Sequence, residues 1–298
     1  MDTSFNFVEI WAWQITFLDL LVAVVMVTCL RKVTGLVANL STTDELSEKD
    51  NFAFGITLAG ATLSLALMMT GVLSGDAAHS LLNELLSLIG YGALGVLLIK
   101  LGRVVLDNWV LKGIEIQKEI KNGNLAAALV DVSNVISVGI MLRAVMIWVE
   151  GDQLTSLFVV LAAFVATQLI LTLVSYSRVL IFKHRNQGKC LQEALQQGNT
   201  ALAVRYFGHL VGVSLSITAA SGMVIYDGQG WILSLSLWVG VAIIFTVVTT
   251  LLSFVARKVI LAGINIVEEV DQQQNIGVAA IEASIFISMG LLLIALFV

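Results

Sequence analysis

Apolar residues in this chain neither alternate nor keep to one helical stripe; they run on without a break. Eight such runs stand out, at roughly 10–30, 52–73, 81–102, 125–149, 154–177, 200–226, 231–255 and 276–298. Each has the ~20-residue length that carries an α-helix across a hydrocarbon core. In lipid the backbone must satisfy its hydrogen bonds within the segment, so the runs are expected to be helices. The first holds Asp19 and has no basic flank or small-residue cleavage site, which argues against a cleaved signal peptide.

The polar breaks repeat. Four times an asparagine opens an apolar run, with small residues two and four places on: Asn51-x-Ala53-x-Gly55, Asn124-x-Ala126-x-Ala128, Asn199-x-Ala201-x-Ala203 and Asn275-x-Gly277-x-Ala279. The spacings are 73, 75 and 76 residues, so one two-span unit is written four times. Every unit has an outgoing run ending in an arginine (Arg31, Arg103, Arg178, Arg257). An amphipathic stretch of about 20 residues is expected next, with a glutamate five or six places before the asparagine (Glu45, Glu119, Glu193, Glu269). The expected fold is an all-α membrane protein: eight transmembrane helices arranged as four helical hairpins in two tandem halves, 1–152 and 153–298. Because each unit contains two spans, the copies share one orientation and are related by an axis along the membrane normal.

Asn51, Asn124, Asn199 and Asn275 are placed to cap the helices they open, each side-chain oxygen accepting a backbone N–H that lipid would leave unpaired. At +2, +9, +13 and +20 from each asparagine every residue is small. The +9 and +13 pairs are Gly60 and Ser64, Ser133 and Ser137, Gly208 and Gly212, and Ser284 and Ser288. At about 100° per residue these positions share one helix face, and the small-xxx-small spacing predicts a packing seam that lets backbones approach.

Composition agrees: 58% of residues are hydrophobic and 12% charged, against about 25% charged in a soluble domain. Of 16 Lys and Arg residues, 13 lie in the connections 31–51, 103–124, 178–199 and 257–275; Lys100, Arg143 and Arg205 lie inside runs. The other connections carry acids such as Asp76, Glu150, Asp152 and Asp227 instead. The positive-inside rule then places the long basic loops in the cytoplasm and both termini outside, with Trp11, Trp13, Trp148 and Trp231 at the outer interface. Cys29 and Cys190 fall on the cytoplasmic side of this arrangement, where thiols stay reduced.

Charges within the runs are the candidate site, because they are costly in lipid and tend to be functional. Asp131 and Glu282 each lie seven residues after an asparagine; Arg205 lies six after Asn199, and His209 one turn deeper. Asp19 and Arg143 lie near the opposite end of their runs. Matching depths predict two ion-paired layers, Asp131 and Glu282 around Arg205 inside and Asp19 with Arg143 outside. Such pairs either lock helices together or mark an ion or proton path. Gly90-Tyr91-Gly92 lacks the preceding pore helix of a potassium filter. His79, His184 and His209 are too scattered for metal ligation, and no nucleophile elbow, phosphate loop or dinucleotide fingerprint occurs. The chain has no proline, so broken transporter helices are not expected.

The duplicated units have a basic inner end, a glutamate upstream of Gly123-Asn124, Gly198-Asn199 or Gln274-Asn275, and a small-residue helix after it. They resemble the domain-of-unknown-function 350 family of YjfL-type bacterial inner-membrane proteins, as two tandem copies over nearly the whole chain. The first unit departs, with Asp50 in place of the glycine or glutamine. The resemblance implies a bacterial inner membrane and carries over no catalytic residue. The expected function is that of a non-enzymatic helix-packing and interaction module, in envelope maintenance; the alternative is a conduit for ions, protons or small solutes using the buried carboxylates. Its expected surroundings are the lipid bilayer and either a further copy of the chain or another membrane protein. No nucleic acid, metal or cofactor is expected.

Overall fold

The computed structural model describes residues 10–38, 41–75, 80–149 and 154–298. Among them the chain is helical, with no strand, and eight helices are long and apolar enough to cross a membrane. These are α1 (Ile10–Ala38), α2 (Phe52–Val72), α3 (Leu81–Val105), α5 (Leu125–Trp148), α6 (Leu154–Arg185), α8 (Thr200–Ala219), α9 (Trp231–Ile260) and α10 (Ile276–Phe297). Two short helices, α4 (Ile116–Lys121) and α7 (Leu191–Gln196), precede α5 and α8.

The outgoing helices overrun their apolar stretches. α6 is 32 residues long and α9 is 30, so the arginines that end the apolar runs sit inside helices. Nothing in this proline-free chain stops them sooner; past the ends of α3, α6 and α9 the backbone turns at left-handed residues, Gly113, Gln187 with Gly188, and Gly263. Among the described residues the expected amphipathic stretches do not form single 20-residue helices. They carry wide π-helical turns at Asp44–Glu48, Leu106–Val110 and Val267–Gln272, or the six-residue α4 and α7.

The four helices opened by asparagines form a row, α2–α5–α8–α10, and each packs most heavily on its neighbours in that row. α5 and α8, in the middle, are buried on nearly every side. The others lean on the row: α1 against α2 and α3, α3 against α2 and α5, α6 against α5, α8 and α9, and α9 against α8 and α10. Their outward faces expose large apolar side chains such as Phe17, Leu173, Leu251 and Val259, which suits contact with lipid.

One interface recurs at the α2–α5 and α8–α10 junctions of the row. A Cβ on Gly60 would meet the Val132 side chain at 2.7 Å, and one on Gly208 would meet the Ala283 Cα at 2.2 Å; both join position +9 of one unit to +8 of the next. Ser64 at +13 donates its hydroxyl to the Val135 carbonyl, and Gly212 at +13 sits against the Phe286 carbonyl, so +13 meets +11 both times. Gly139 and Gly290, each at +15, approach the carbonyls of Ser64 and Gly212. Small residues are required because backbones touch.

The seam is not buried in every unit, which corrects the expectation for the last one. Ser133 and Ser137 are fully buried. Ser284 and Ser288 are exposed, as are Gly277 and Ala295. The physical reason is position: α10 ends the row, so no following helix covers its seam. Trp148 also departs from expectation. Rather than lying at an interface it is buried, stacked on Trp238 at 5.6 Å and edge-on to Tyr226 at 5.3 Å, with Nε1 donating to the Val224 carbonyl at 2.6 Å. It fills the space left because α8 stops at Ala219 instead of running on to 226. Trp13 is exposed. Asp76, His79, Glu150 and Asp152, and the Trp11 side chain, lie outside the described residues.

Candidate functional site

The asparagine step has the same local build four times. The residue before it is left-handed in every copy: Asp50, Gly123, Gly198 and Gln274, with φ of 47°, 82°, 83° and 58°. This kink aims the asparagine into the helix start. Each Oδ1 accepts the backbone N–H three residues on, from Phe54, Ala127, Leu202 and Val278, at 3.0–3.2 Å. The side-chain amide then reaches back to the glutamate five or six places earlier: Asn51 to Glu45, Asn124 to Glu119 and Asn275 to Glu269, at 3.0, 3.2 and 2.8 Å. It also reaches across the row. Asn51 donates to the carbonyls of Ile120 and Lys121, and Asn124 to those of Leu195 and Gln196. All four asparagines thus cap their own helices, and Asn51 and Asn124 also tie theirs to the short helix of the next unit.

Deeper in, the carboxylates at +7 pair with the arginine that ends the outgoing run of their own unit. Arg103 meets Asp131 through two bonds, Nε to Oδ1 and Nη2 to Oδ2, both 2.9 Å. Arg257 Nη1 donates to Glu282 Oε1 at 2.7 Å. In the third unit the +7 residue is Tyr206, whose hydroxyl bonds Ser175 at 2.9 Å, so Arg178 has no such partner. In the first it is Leu58, and Arg31 turns to Thr42 and Thr43.

Around Glu282 the charges gather. Its carboxylate is fully buried, and besides Arg257 it faces Arg205 Nη1 at 3.9 Å and His209 Nε2 at 3.8 Å. Arg205 Nη2 lies 2.6 Å from Asp271 Oδ1, and Asp271 Oδ2 accepts from the Asn186 amide at 2.8 Å. The His209 ring stands edge-on to Phe286, centroids 3.9 Å apart, and the Arg178 guanidinium lies over that same ring at 5.1 Å. A cavity of ≈ 30 Å³ opens between Arg178, Arg185, Arg205, His209, Arg257 and Glu282. Among the described residues no three His, Cys, Asp or Glu are placed to hold a metal ion. The acids here are already engaged by guanidiniums.

The two-layer expectation is corrected. Arg205 approaches Glu282 but not Asp131, which Arg103 occupies. The positions along the helices match, but the directions do not: each +7 acid faces the outgoing helix of its own unit, so Asp131 and Glu282 belong to separate sites, one with Arg103 and one with Arg257. The outer pair does not form. Arg143 Nε donates to Thr70 Oγ1 at 3.0 Å, while Asp19 Oδ1 is buried without a hydrogen bond. α1 packs on α2 and α3 and lies away from α5, which carries Arg143. Sequence reasoning named Arg103, Arg178 and Arg257 only as run ends and missed their role as partners, along with Asp271 and Arg185. The recurrence of an arginine and a +7 acid within the second and fourth units was the signal available.

The family model described as Domain of Unknown Function (DUF350) matches residues 7–146 and again 152–297. Neither a curated protein nor a solved structure matches the chain. The chain belongs to the DUF350 family and carries two tandem copies of its domain.

Proposed function

We propose, with that membership as the premise, that this chain is a non-enzymatic multi-pass protein of the bacterial inner membrane that acts as a self-associating packing module in envelope maintenance. Its four units are parallel helical hairpins, with the basic connections in the cytoplasm and both termini in the periplasm. The one-sided distribution of Lys and Arg supports that orientation.

One observation carries the reading. The interface between asparagine-opened helices is repeated at α2–α5 and α8–α10, and both of its halves are left unpaired at the ends of the row. α10 exposes Ser284 at +9 and Ser288 at +13; α2 exposes Ala59 at +8 and Ala66 at +15, with Thr62 at +11 partly exposed. These are the positions that meet inside the chain. A second copy joined head to tail would extend the row by the same contact, a heterologous association that closes when the rotation allows. The Asn275 amide would then reach the carbonyls of Ser47 and Glu48 of the neighbour, as Asn51 and Asn124 reach theirs within the chain.

Cysteine cross-linking in native membranes tests this. With Cys29 and Cys190 replaced by serine, Ser284→Cys combined with Ala59→Cys should give a dimer-sized or larger adduct under mild oxidation, and neither single variant should. Adducts from Ser284→Cys alone would mean a two-fold contact and overturn the head-to-tail arrangement. No adduct at all would leave α10 to a different membrane-protein partner.

A conduit for ions, protons or small solutes is the second reading, supported by the polar cavity beside Glu282. Purified protein in liposomes should then pass ions or protons, and Asp131→Asn/Glu282→Gln should stop it. The filled centre of the row favours the packing reading.

A further inference from the structure

We infer that the cavity between α6, α8, α9 and α10 is a binding site for a phosphate-class oxyanion, presented either as free phosphate or as the phosphate of an anionic lipid headgroup. The balance of charge is the first reason. Four guanidiniums (Arg178, Arg185, Arg205, Arg257) line the cavity, and the carboxylates among them are Glu282 and Asp271. Each acid has one guanidinium at close range, Glu282 with Arg257 at 2.7 Å and Asp271 with Arg205 at 2.6 Å, so two carboxylates stand against four guanidiniums. A lone cation in a low-dielectric setting is costly unless an anion joins it.

Unused donors are the second reason. Arg205 is 9% exposed and His209 4%, yet Arg205 Nη1, His209 Nε2 and Arg178 Nε are all buried without a hydrogen-bond partner, as are two acceptor atoms of the cluster, Asp271 Oδ1 and Glu282 Oε2, the latter 3.9 Å from Arg205 Nη1. The three nitrogen groups come from α6 and α8, two turns of separate helices, and all three residues line the same cavity. Buried polar atoms left unsatisfied cost free energy, and with four guanidiniums against two carboxylates the donors outnumber the acceptors present, which leaves room for a further acceptor. A tetrahedral oxyanion offers several acceptor oxygens at once, and guanidiniums bind it through charge-assisted bonds.

Comparison among the units is the third. In the second and fourth units the arginine ending the outgoing run is neutralised by the +7 carboxylate of the returning helix. In the third, tyrosine replaces that carboxylate, and Arg178 has no paired acid of its own unit: it lies over the Phe286 ring and feels the charge of Glu282, which Arg257 already holds. The substitution removes a built-in anion where the cavity opens. At ≈ 30 Å³ against the ~10–15 Å³ needed for one water, the space takes a small group and not a bulky solute. Arg205 lies six residues into α8, about 9 Å from its start at 1.5 Å per residue, and Arg185 at the end of α6 is exposed, giving an entry from the polar end.

The test uses the full chain in an uncharged detergent, stripped of co-purified lipid. Thermal unfolding is followed with inorganic phosphate against sodium chloride at equal ionic strength. A second arm uses short-chain phosphatidylglycerol against a diacylglycerol of the same chain length. Saturable stabilisation by phosphate assigns the free anion, and by phosphatidylglycerol alone the lipid headgroup; either supports the site. Arg178→Gln should weaken the response about tenfold or more, the effect of losing one charged hydrogen-bond donor, and Arg178→Lys should restore part of it. Arg185→Gln, at an exposed position that does not threaten folding, should weaken it as well. No stabilisation in either arm overturns the proposal, as does an undiminished response in both the Arg178→Gln and Arg185→Gln variants. The cross-linking of Ser284→Cys to Ala59→Cys is read separately, so failure here leaves the self-association reading untouched.

Discussion

Arg103 holds Asp131 by two parallel bonds of 2.9 Å, and the carboxylate is only 1% exposed. Planar bidentate pairing of this kind is the strongest form of arginine–carboxylate contact. Its net contribution is nonetheless limited, because both charges were stripped of water to make it. Asp131→Ala should therefore cost about 3–5 kcal/mol by stranding Arg103, while Arg103→Met combined with Asp131→Leu should cost much less than the sum of the single variants. Unfolding of the four proteins in detergent, read as a double-mutant cycle, checks this. Additive losses would show that the two residues act independently.

Gly208 and Ser284 occupy the same repeat position and should respond in opposite ways. A Cβ on Gly208 meets the Ala283 Cα at 2.2 Å, so Gly208→Ala forces α8 and α10 apart and should cost ~1–3 kcal/mol, with Gly208→Leu failing to give folded protein. Ser284 faces outward from α10, so Ser284→Leu should leave the melting temperature of the isolated protomer unchanged. It should reduce head-to-tail cross-linking through the flanking Ser288→Cys with Ala66→Cys. Loss of folded protein in Ser284→Leu would contradict the exposed placement of the α10 seam.

How much of this was legible beforehand varies by residue. The asparagine caps were, because a cap is decided within four residues of sequence. The packing of Gly60 and Gly208 was legible too, since a small-residue period survives any arrangement of partners. The pairing of Asp131 and Glu282 was not. Sequence gives depth along a helix to within a turn, but the direction a side chain faces relative to other helices depends on how the row assembles, and two acids at one depth ended in different halves. Ser284 and Ser288 kept the seam pattern while losing the partner, because a repeat records the interface without recording where the row stops. Trp148 read as an interfacial residue on local grounds and became a core residue because α8 ends early.

The left-handed residues before the asparagines offer a gain in stability. Gly123 and Gly198 adopt positive φ without cost, whereas Gln274 at φ 58° carries a side chain there. A left-handed L-residue costs roughly 1–2 kcal/mol, partly offset by the greater freedom glycine has in the unfolded chain. Gln274→Gly should stabilise the protein by about 0.5–1 kcal/mol, measured as a rise in melting temperature in detergent. A fall would mean that the Gln274 side chain makes a contact worth more than the strain.

Orientation in the bilayer is open to direct labelling. With Asp227→Cys as the added thiol, a membrane-impermeant maleimide applied to sealed cells should react at 227 and spare Cys190, which should react once the membrane is opened. The expectation follows from the basic connection that carries Cys190 and the connection without Lys or Arg that carries Asp227. Labelling of Cys190 in intact cells would reverse the orientation.

The Glu45 carboxylate should give the first connection a measurable acid sensitivity. It accepts from Lys49 Nζ at 2.7 Å and from the Asn51 amide at 3.0 Å, and the Lys49 bond is the main cause that lowers its pKa below the ordinary glutamate value, against the opposing effect of burial. A depressed folded-state pKa means that the ionised form is favoured by folding. That stabilisation is complete above the unfolded-state pKa of about 4.3 and is lost as pH falls through the lower folded-state value. Denaturation in detergent should therefore show stability falling with acidification across that window, with Glu45→Gln less stable than the parent at pH 7. The gap between the two should narrow as pH falls below the unfolded-state value, because protonation of the unfolded parent then offsets the stability that the ionised carboxylate supplies. The two proteins are compared with Lys49 and Asn51 intact, so the amide's bonds to the Ile120 and Lys121 carbonyls remain in both. A gap that stays constant from pH 7 to 3 would show that the ionised carboxylate contributes nothing beyond what the amide supplies.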